Sequence, residues 1–259
     1  MTKDRLETIL NQYVITDNNI KTISPSDANY PKLLGEIHDP PKILYFRGDV
    51  SLLHSPCLGV VGTRKLSLYG KEVTEYFVTQ LVQNGFTVVS GLALGIDAVA
   101  HRTALKTKGN TIAVLGTGID DKSIYPKDHI QLIHEILENR GLIISEYKPG
   151  TGGSKWTFPA RNRIISGLSY GVVVVEADYK SGALITAKCA LDQNRDVFAI
   201  PGNVFSQKSN GTNMLIQNGA KLVHAPCDIL EEYEQQIISD SDDVQKRIST
   251  KEQFTKKDS

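Results

Sequence analysis

The chain has 259 residues, 40% hydrophobic and 22% charged, which suits one large α/β domain with a modest appendage and is too short for two full-sized enzymatic domains. Lys plus Arg and Asp plus Glu number 29 each, so whole-molecule attraction to nucleic acid is excluded and only a local patch would supply it. Cys57, Cys189 and Cys227 are far apart with no Cys-x-x-Cys pair, which excludes a disulfide framework or a zinc ribbon and fits a reducing cytoplasm.

The first residues, Met1 to Glu7, lack the apolar stretch of a signal peptide, and no apolar run approaches the length of a bilayer span. A cytoplasmic protein with no membrane partner is expected. Residues 1–56 read as a short N-terminal extension, with a reduced helical module around Leu6, Ile9, Leu10 and Tyr13. Tyr30-Pro31 and Asp39-Pro40-Pro41 then interrupt helix formation, and Ile43–Phe46 reads as a strand.

Residues 57–238 alternate strand, glycine turn and helix. Leu58–Val61 is a strand, Gly62-Thr-Arg64 a turn, and Val73, Phe77, Val78 and Leu81 carry helical spacing over 70–82. Strands follow at Thr87–Ser90, Thr111–Leu115, Leu142–Ser145, Val172–Val175, Val197–Ile200 and Lys221–Val223. Helices are expected through His101 and Leu105, over 130–137, after Lys155-Trp-Thr-Phe158, after Ser181-Gly182, near 213–217, and from Asp228 through Ile229, Leu230, Tyr233 and Ile237. This order predicts a doubly wound, mostly parallel α/β sheet. Residues 239–259 are charged and polar and read as a disordered tail.

Ligands of open α/β sheets bind beyond the carboxyl ends of the strands. Lys155, Arg161 and Arg163 bring cations to such a turn, Trp156 and Phe158 bring flat rings, and Ser181-Gly182 offers amides at a helix start. Phosphate plus base is one reading; arginines ion-paired on a solvated helix face, with Phe158 stapled to the core, is the other. Gly116-Thr-Gly118 lacks the third glycine of a dinucleotide fingerprint, and no phosphate-binding loop of nucleoside triphosphatases is present. No cofactor is therefore expected. Asp97 and His101 share a helix face without a third ligand and read as a helix-start carboxylate and a structural imidazole; His129 and His134 read as surface residues. No metal site and no serine triad can be assembled.

Taken together, Val60-Val-Gly-Thr-Arg64, Ser90-Gly-Leu-Ala-Leu-Gly-Ile-Asp97, Ile112-Ala-Val-Leu-Gly-Thr-Gly118, Phe158-Pro-Ala-Arg-Asn-Arg-Ile-Ile-Ser-Gly167, Ser181-Gly-Ala-Leu-Ile-Thr186 and Arg195-Asp-Val-Phe-Ala-Ile-Pro-Gly202 resemble the DNA-processing protein A (DprA, or Smf) family of bacteria. The resemblance runs in unbroken order over about residues 30 to 230. It implies an extended Rossmann-like domain that binds single-stranded DNA, dimerises, and loads the RecA recombinase in natural transformation, without catalysis. Carried over, Arg64 and Lys155 match phosphate-binding cations and Phe158 a base-stacking ring. Gly62, Ser181 and Gly182 would supply backbone donors, and Asn162 and Arg163 would line or brace the pocket. For a homodimer or RecA contact the candidates are Ile229, Leu230 and Tyr233, whose alternative is packing within the chain. The competing function is a nucleotide-binding or nucleoside-monophosphate-hydrolysing Rossmann-like enzyme with Glu146 or Glu176 as acid or base. Pro149-Gly-Thr-Gly-Gly153 only superficially approaches that group's signature.

Overall fold

The computed structural model describes residues 20–233. The helix expected around Leu6–Tyr13 and the tail at 239–259 lie outside the described residues. Strands β3 (Cys57–Val61), β4 (Thr87–Ser90), β5 (Thr111–Leu115), β6 (Leu142–Ser145) and β7 (Gly171–Val174) are buried along their whole length, as strands covered on both faces must be. With β8 (Asp196–Ala199) and β9 (Lys221–Leu222) they run parallel. Two strands from the polar preface, β1 (Lys21–Ile23) and β2 (Leu44–Gly48), extend the same sheet antiparallel beyond β6, giving the order β1-β2-β6-β5-β4-β3-β7-β8-β9.

Side chains alternate along each strand, so each half of the pattern buries against a different helical layer. In β7, Val172 and Val174 pack with Ile164, Ile165 and Leu168 of α5 (Thr157–Leu168) and with Ala183, Ala187 and Ala190 of α6 (Gly182–Asp192). The short helix α1 (Lys32–Gly35) joins this face through Leu34. Val173 and Val175 point the other way, among Phe77, Val78 and Leu81 of α2 (Leu68–Gln83) and Ile96 and Ala100 of α3 (Ile96–Lys106). Helix α4 (Ile130–Glu138) covers the outer end of that face through Leu132, Ile133 and Ile136. The chain thus winds outward from β3 to β6 on one face, crosses back through α5, and winds outward again from β7, with α7 (Asn210–Gln217) before β9. No helix among the described residues is long and apolar enough to cross a membrane.

Two expectations change. His129 and His134 are buried rather than at the surface. Their positions at the start and on the inner side of α4 bring His129 Nδ1 within 2.9 Å of Leu92 O and His134 Nε2 within 3.3 Å of Asp121. The strand expected at Ile43–Phe46 forms as β2, but the proline-broken preface also holds β1 and α1, which were not expected; β1 borrows its ladder from β2 and does not depend on its own propensity.

His101 is fully buried on α3, with Nδ1 2.7 Å from Thr111 Oγ1, and that hydroxyl donates to Val88 O at 2.9 Å. With the threonine proton committed to the carbonyl, the imidazole donates from Nδ1, and its Nε2 meets no partner. Burial, with help from His129 and Arg161, depresses its pKa from 6.5 to about 3. The unfolded chain binds this proton near pH 6.5 and the folded chain does not, so stability present above pH 6.5 is lost as pH falls toward 3, at about 1.4 kcal/mol per pH unit. Burial raises the pKa of Asp97 and works in the opposite sense, so the comparison that isolates His101 is with His101→Asn. Urea denaturation across pH 4–7, on the order of the window defined by these values, is expected to show the flatter profile in the variant.

Candidate functional site

The winding reverses between β3 and β7, which leaves a crevice at their carboxyl ends. A cleft of about 890 Å³ occupies it, lined by the Gly62–Lys65 turn after β3, Tyr125 after β5, Gly153–Lys155 and Phe158 around the start of α5, and Asp178 and Lys180–Gly182 after β7. It brings together Gly62, Arg64, Lys155, Phe158, Asn162, Ser181 and Gly182, which lie up to 120 positions apart in sequence. Arg163 does not line it.

One side of the cleft is cationic. Arg64, Lys65, Lys155 and Lys180 are exposed, and among the described residues none of them is held in an ion pair. With Arg161 they make five lining cations against two lining carboxylates, Asp97 and Asp178, so a positive patch exists on a chain of zero formal charge. The other side is aromatic. Phe158 is wedged where Gly116 and Gly153 leave room: a Cβ on either would come within 2.7 or 2.6 Å of its ring. Tyr125 tilts over it with ring centroids 5.6 Å apart, and the Arg64 guanidinium lies 6.0 Å from the Phe158 centroid. A ring beside unpaired cations suits a ligand that is both flat and anionic.

The Arg64 turn is held from both ends by Glu176, just after β7. Thr63 N donates to Glu176 O at 2.7 Å, and the buried Glu176 carboxylate accepts from Ser67 N at 2.9 Å and Ser67 Oγ at 2.5 Å. Ser67 in turn caps α2 by accepting from Gly70 N. Gly62 is required by close approach: an added Cβ would lie 2.5 Å from Ile96 Cγ1 and 3.1 Å from Glu176 O. On the β7 side, Ser181 caps α6 by accepting from Ala183 N at 3.3 Å, and a Cβ at Gly182 would meet nothing within 4 Å. The first turn of α6 therefore opens on free space, with its dipole toward the cleft.

The three polar residues of α5 separate by direction. Arg161 is 4% exposed and forms the floor, donating from Nη1 to Gly91 O at 2.7 Å and to Val114 O. Asn162 is fully engaged, accepting from Arg161 Nε at 3.3 Å and donating to Gly182 O at 3.2 Å, so it braces the Ser181-Gly182 turn from the cleft wall. Arg163 points away and makes a bidentate pair with Glu146 at 2.7 and 2.8 Å, with Asp39 3.3 Å away. Burial opposes its charge, but Glu146 more than offsets this and holds the guanidinium pKa above its ordinary value.

Ile229 and Tyr233 are buried in the chain's own core, and Leu230 is half-buried at its border. Tyr233 sits against Phe86, Tyr170 and Phe198 and donates to Asp196 at 2.6 Å, so residues 227–233 are anchored to the sheet by these side chains. The sequence reading missed Lys65, Tyr125 and Lys180 as lining residues. Lys65 and Lys180 adjoin turns already singled out, whereas Tyr125 is brought in from a loop whose sequence showed only a Tyr-Pro turn.

A family model described as DNA recombination-mediator protein A matches residues 21–234. The DNA processing protein DprA of Bacillus subtilis is 44% identical over 217 residues, covering 83% of this chain and 72% of the relative. The X-ray structure of DNA processing protein A from Streptococcus pneumoniae superposes with a TM-score of 0.78 at 43% identity, covering 87% of this chain and 77% of that one. DNA processing protein A from Helicobacter pylori, whose structure is described through its single-stranded DNA binding mode, superposes with a TM-score of 0.74 at 33% identity, covering 84% and 96%.

Bracing and free cations differ in their effect on stability. Arg163→Ala and Glu146→Ala are each expected to lower the unfolding free energy by about 1–3 kcal/mol, since each strands a half-buried charge. The double variant should lose less than the sum, because the two groups satisfy each other. Arg64→Ala removes an exposed, unpaired side chain and should change stability by no more than about 0.5 kcal/mol in the same denaturant titrations.

Proposed function

The chain belongs to the DNA recombination-mediator protein A family, and on that premise we propose that its cleft binds single-stranded DNA without catalysing a reaction on it. The observation that carries this reading is the unpaired cation set around a wedged aromatic ring, on a chain of zero formal charge. Arg64 and Lys155 neutralise phosphates, the start of α6 at Ser181-Gly182 takes a further phosphate on its backbone amides, and Phe158 stacks a base. Gly62, Asn162 and Arg163 act behind these groups: Gly62 lets the Arg64 turn approach α3, Asn162 fixes the α6 turn, and Arg163 ties α5 to Glu146. In this reading the protein works in the cytoplasm as a homodimer that protects incoming strands and passes them to the RecA recombinase. The two carboxylates named for the competing hydrolase reading are both committed, Glu176 to Ser67 and Glu146 to Arg163.

Single strands are read here through phosphate and base planes rather than base edges, so affinity should depend on salt more than on sequence. Fluorescence anisotropy with a labelled single strand and its duplex, over a salt series, is the test. The expected result is preference for the single strand and, in the Arg64→Ala/Lys155→Ala protein, a log K versus log salt slope shallower by about 1.4, from about 0.7 per lost phosphate contact. Phe158→Ala should weaken binding by about 1–3 kcal/mol at an unchanged slope. Wild-type affinity in all of these variants would remove the cleft from DNA binding.

A further inference from the structure

A single strand held in the cleft has to leave it. Ser154 and Lys155 line the cleft and Phe158 lines it again, but Trp156 between them stands outside at the rim, 72% exposed. Lone exposed aromatics are common and need no explanation. Three observations set Trp156 apart. Its backbone is fixed: Trp156 N and Thr157 N both donate to Ser154 Oγ at 3.2 Å, Ser154 N donates back to Thr157 Oγ1 at 2.9 Å, and Ala160 N donates to Trp156 O at 3.1 Å as α5 begins. A phosphate-directed cation lies on the ring, Lys155 Nζ being 5.0 Å from the indole centroid. The indole has no aromatic partner and its N–H no protein acceptor among the described residues. A large flat surface is therefore carried on a fixed backbone beside a cleft cation, and the indole has only two side-chain torsions to lose when a base lands on it.

We propose that Trp156 is a second base-stacking platform, placed where the strand leaves the cleft, so that bases are held on both sides of the phosphate that Lys155 neutralises. This rests on the reading of the cleft as a single-strand site and extends the DNA path beyond its lining. The bases then face Tyr125, Phe158 and Trp156, while the backbone follows Arg64, Lys155 and Lys180.

Trp156 is the chain's one tryptophan, so indole emission reports this position alone. The experiment titrates the full chain with a labelled oligothymidylate longer than the ~16 nucleotides of the largest single-fold sites, following label anisotropy and tryptophan emission in parallel. The expected result is saturable quenching with the same midpoint as the anisotropy change. Trp156→Ala should bind about 5- to 150-fold more weakly at an unchanged salt slope, and Trp156→Phe should recover most of the affinity. Anisotropy that reports binding without quenching overturns the platform and leaves the cleft reading intact. Wild-type affinity in Trp156→Ala does the same, since a bystander indole can be quenched by a strand that it does not hold. Absence of binding by the wild type overturns both.

Discussion

Arg161 is the group on which the site is built. A guanidinium that is 4% exposed loses its hydration and costs several kcal/mol to bury unless its donors are met. Here the donors reach Gly91 O and Val114 O, at the carboxyl ends of two neighbouring strands, and Asn162 Oδ1 on its own helix. Burial brings its pKa down to about 10 while the nearby Asp97 supports the charge, so the group remains a cation at neutral pH. Asp97 is itself fixed by Gly91 N at 3.1 Å and Ala93 N at 3.4 Å. One buried charge thereby joins α5, the ends of β4 and β5, and the start of α3. Because Phe158 sits in the first turn of that same α5 and Lys155 and Trp156 immediately precede it, their placement at the cleft and its rim follows from where Arg161 is anchored.

This arrangement also explains how a neutral chain presents a positive cleft. Outside the cleft four arginines find carboxylates: Arg47 with Asp121 at 2.6 Å, Arg163 with Glu146 at 2.7 Å, Arg195 with Glu36 at 3.6 Å, Arg140 with Asp49 at 3.6 Å. Such pairs contribute little field at a distance and, when exposed, little stability. The cations at the cleft have no such partners, and their field converges on a low-dielectric wall made by Phe158 and Tyr125. The molecule's balance is set by composition, whereas the excess at the cleft is set by which cations the fold gathers there without carboxylate partners.

Pairing is also where sequence reasoning reached its limit. Strands such as Thr87–Ser90, Thr111–Leu115 and Leu142–Ser145 were legible to the residue because strands buried on both faces leave continuous β-branched runs. The loops at the switch point were legible too, since Gly, Ser and Arg at strand ends have a physical meaning there. Arg161 and Arg163 were not separable. Residues two apart on a helix point in nearly opposite directions, and only the positions of Gly91, Val114 and Glu146, fixed by the fold, decide which one faces inward. The same holds for β1: three residues before the first proline become a strand because β2, the strand expected at Ile43–Phe46, offers them an edge. His129 and His134 illustrate the remaining case, polar side chains drawn inside because Leu92 O and Asp121 are waiting for them.

The cleft's shape depends as much on side chains that are missing as on those present. A methyl group at Gly91 would come within 2.6 Å of Arg161 Nη2 and 2.8 Å of Asp97 Oδ2, closing the space in which the buried charges meet. Methyl groups at Gly116 or Gly153 would push Phe158 off its seat, and one at Gly62 would push the Arg64 turn away from α3. Gly95, at φ 81°, lies against the Thr63–Arg64 backbone, where a side chain would be both strained and obstructed. These glycines lie on four different strand-end loops, after β3, β4, β5 and β6, and each sets how closely a cation or ring can approach its neighbour. Unpaired cations and an aromatic ring would bind a flexible anion weakly if they were free to move apart. What makes them a site is that the backbone was left bare where they had to be pressed together.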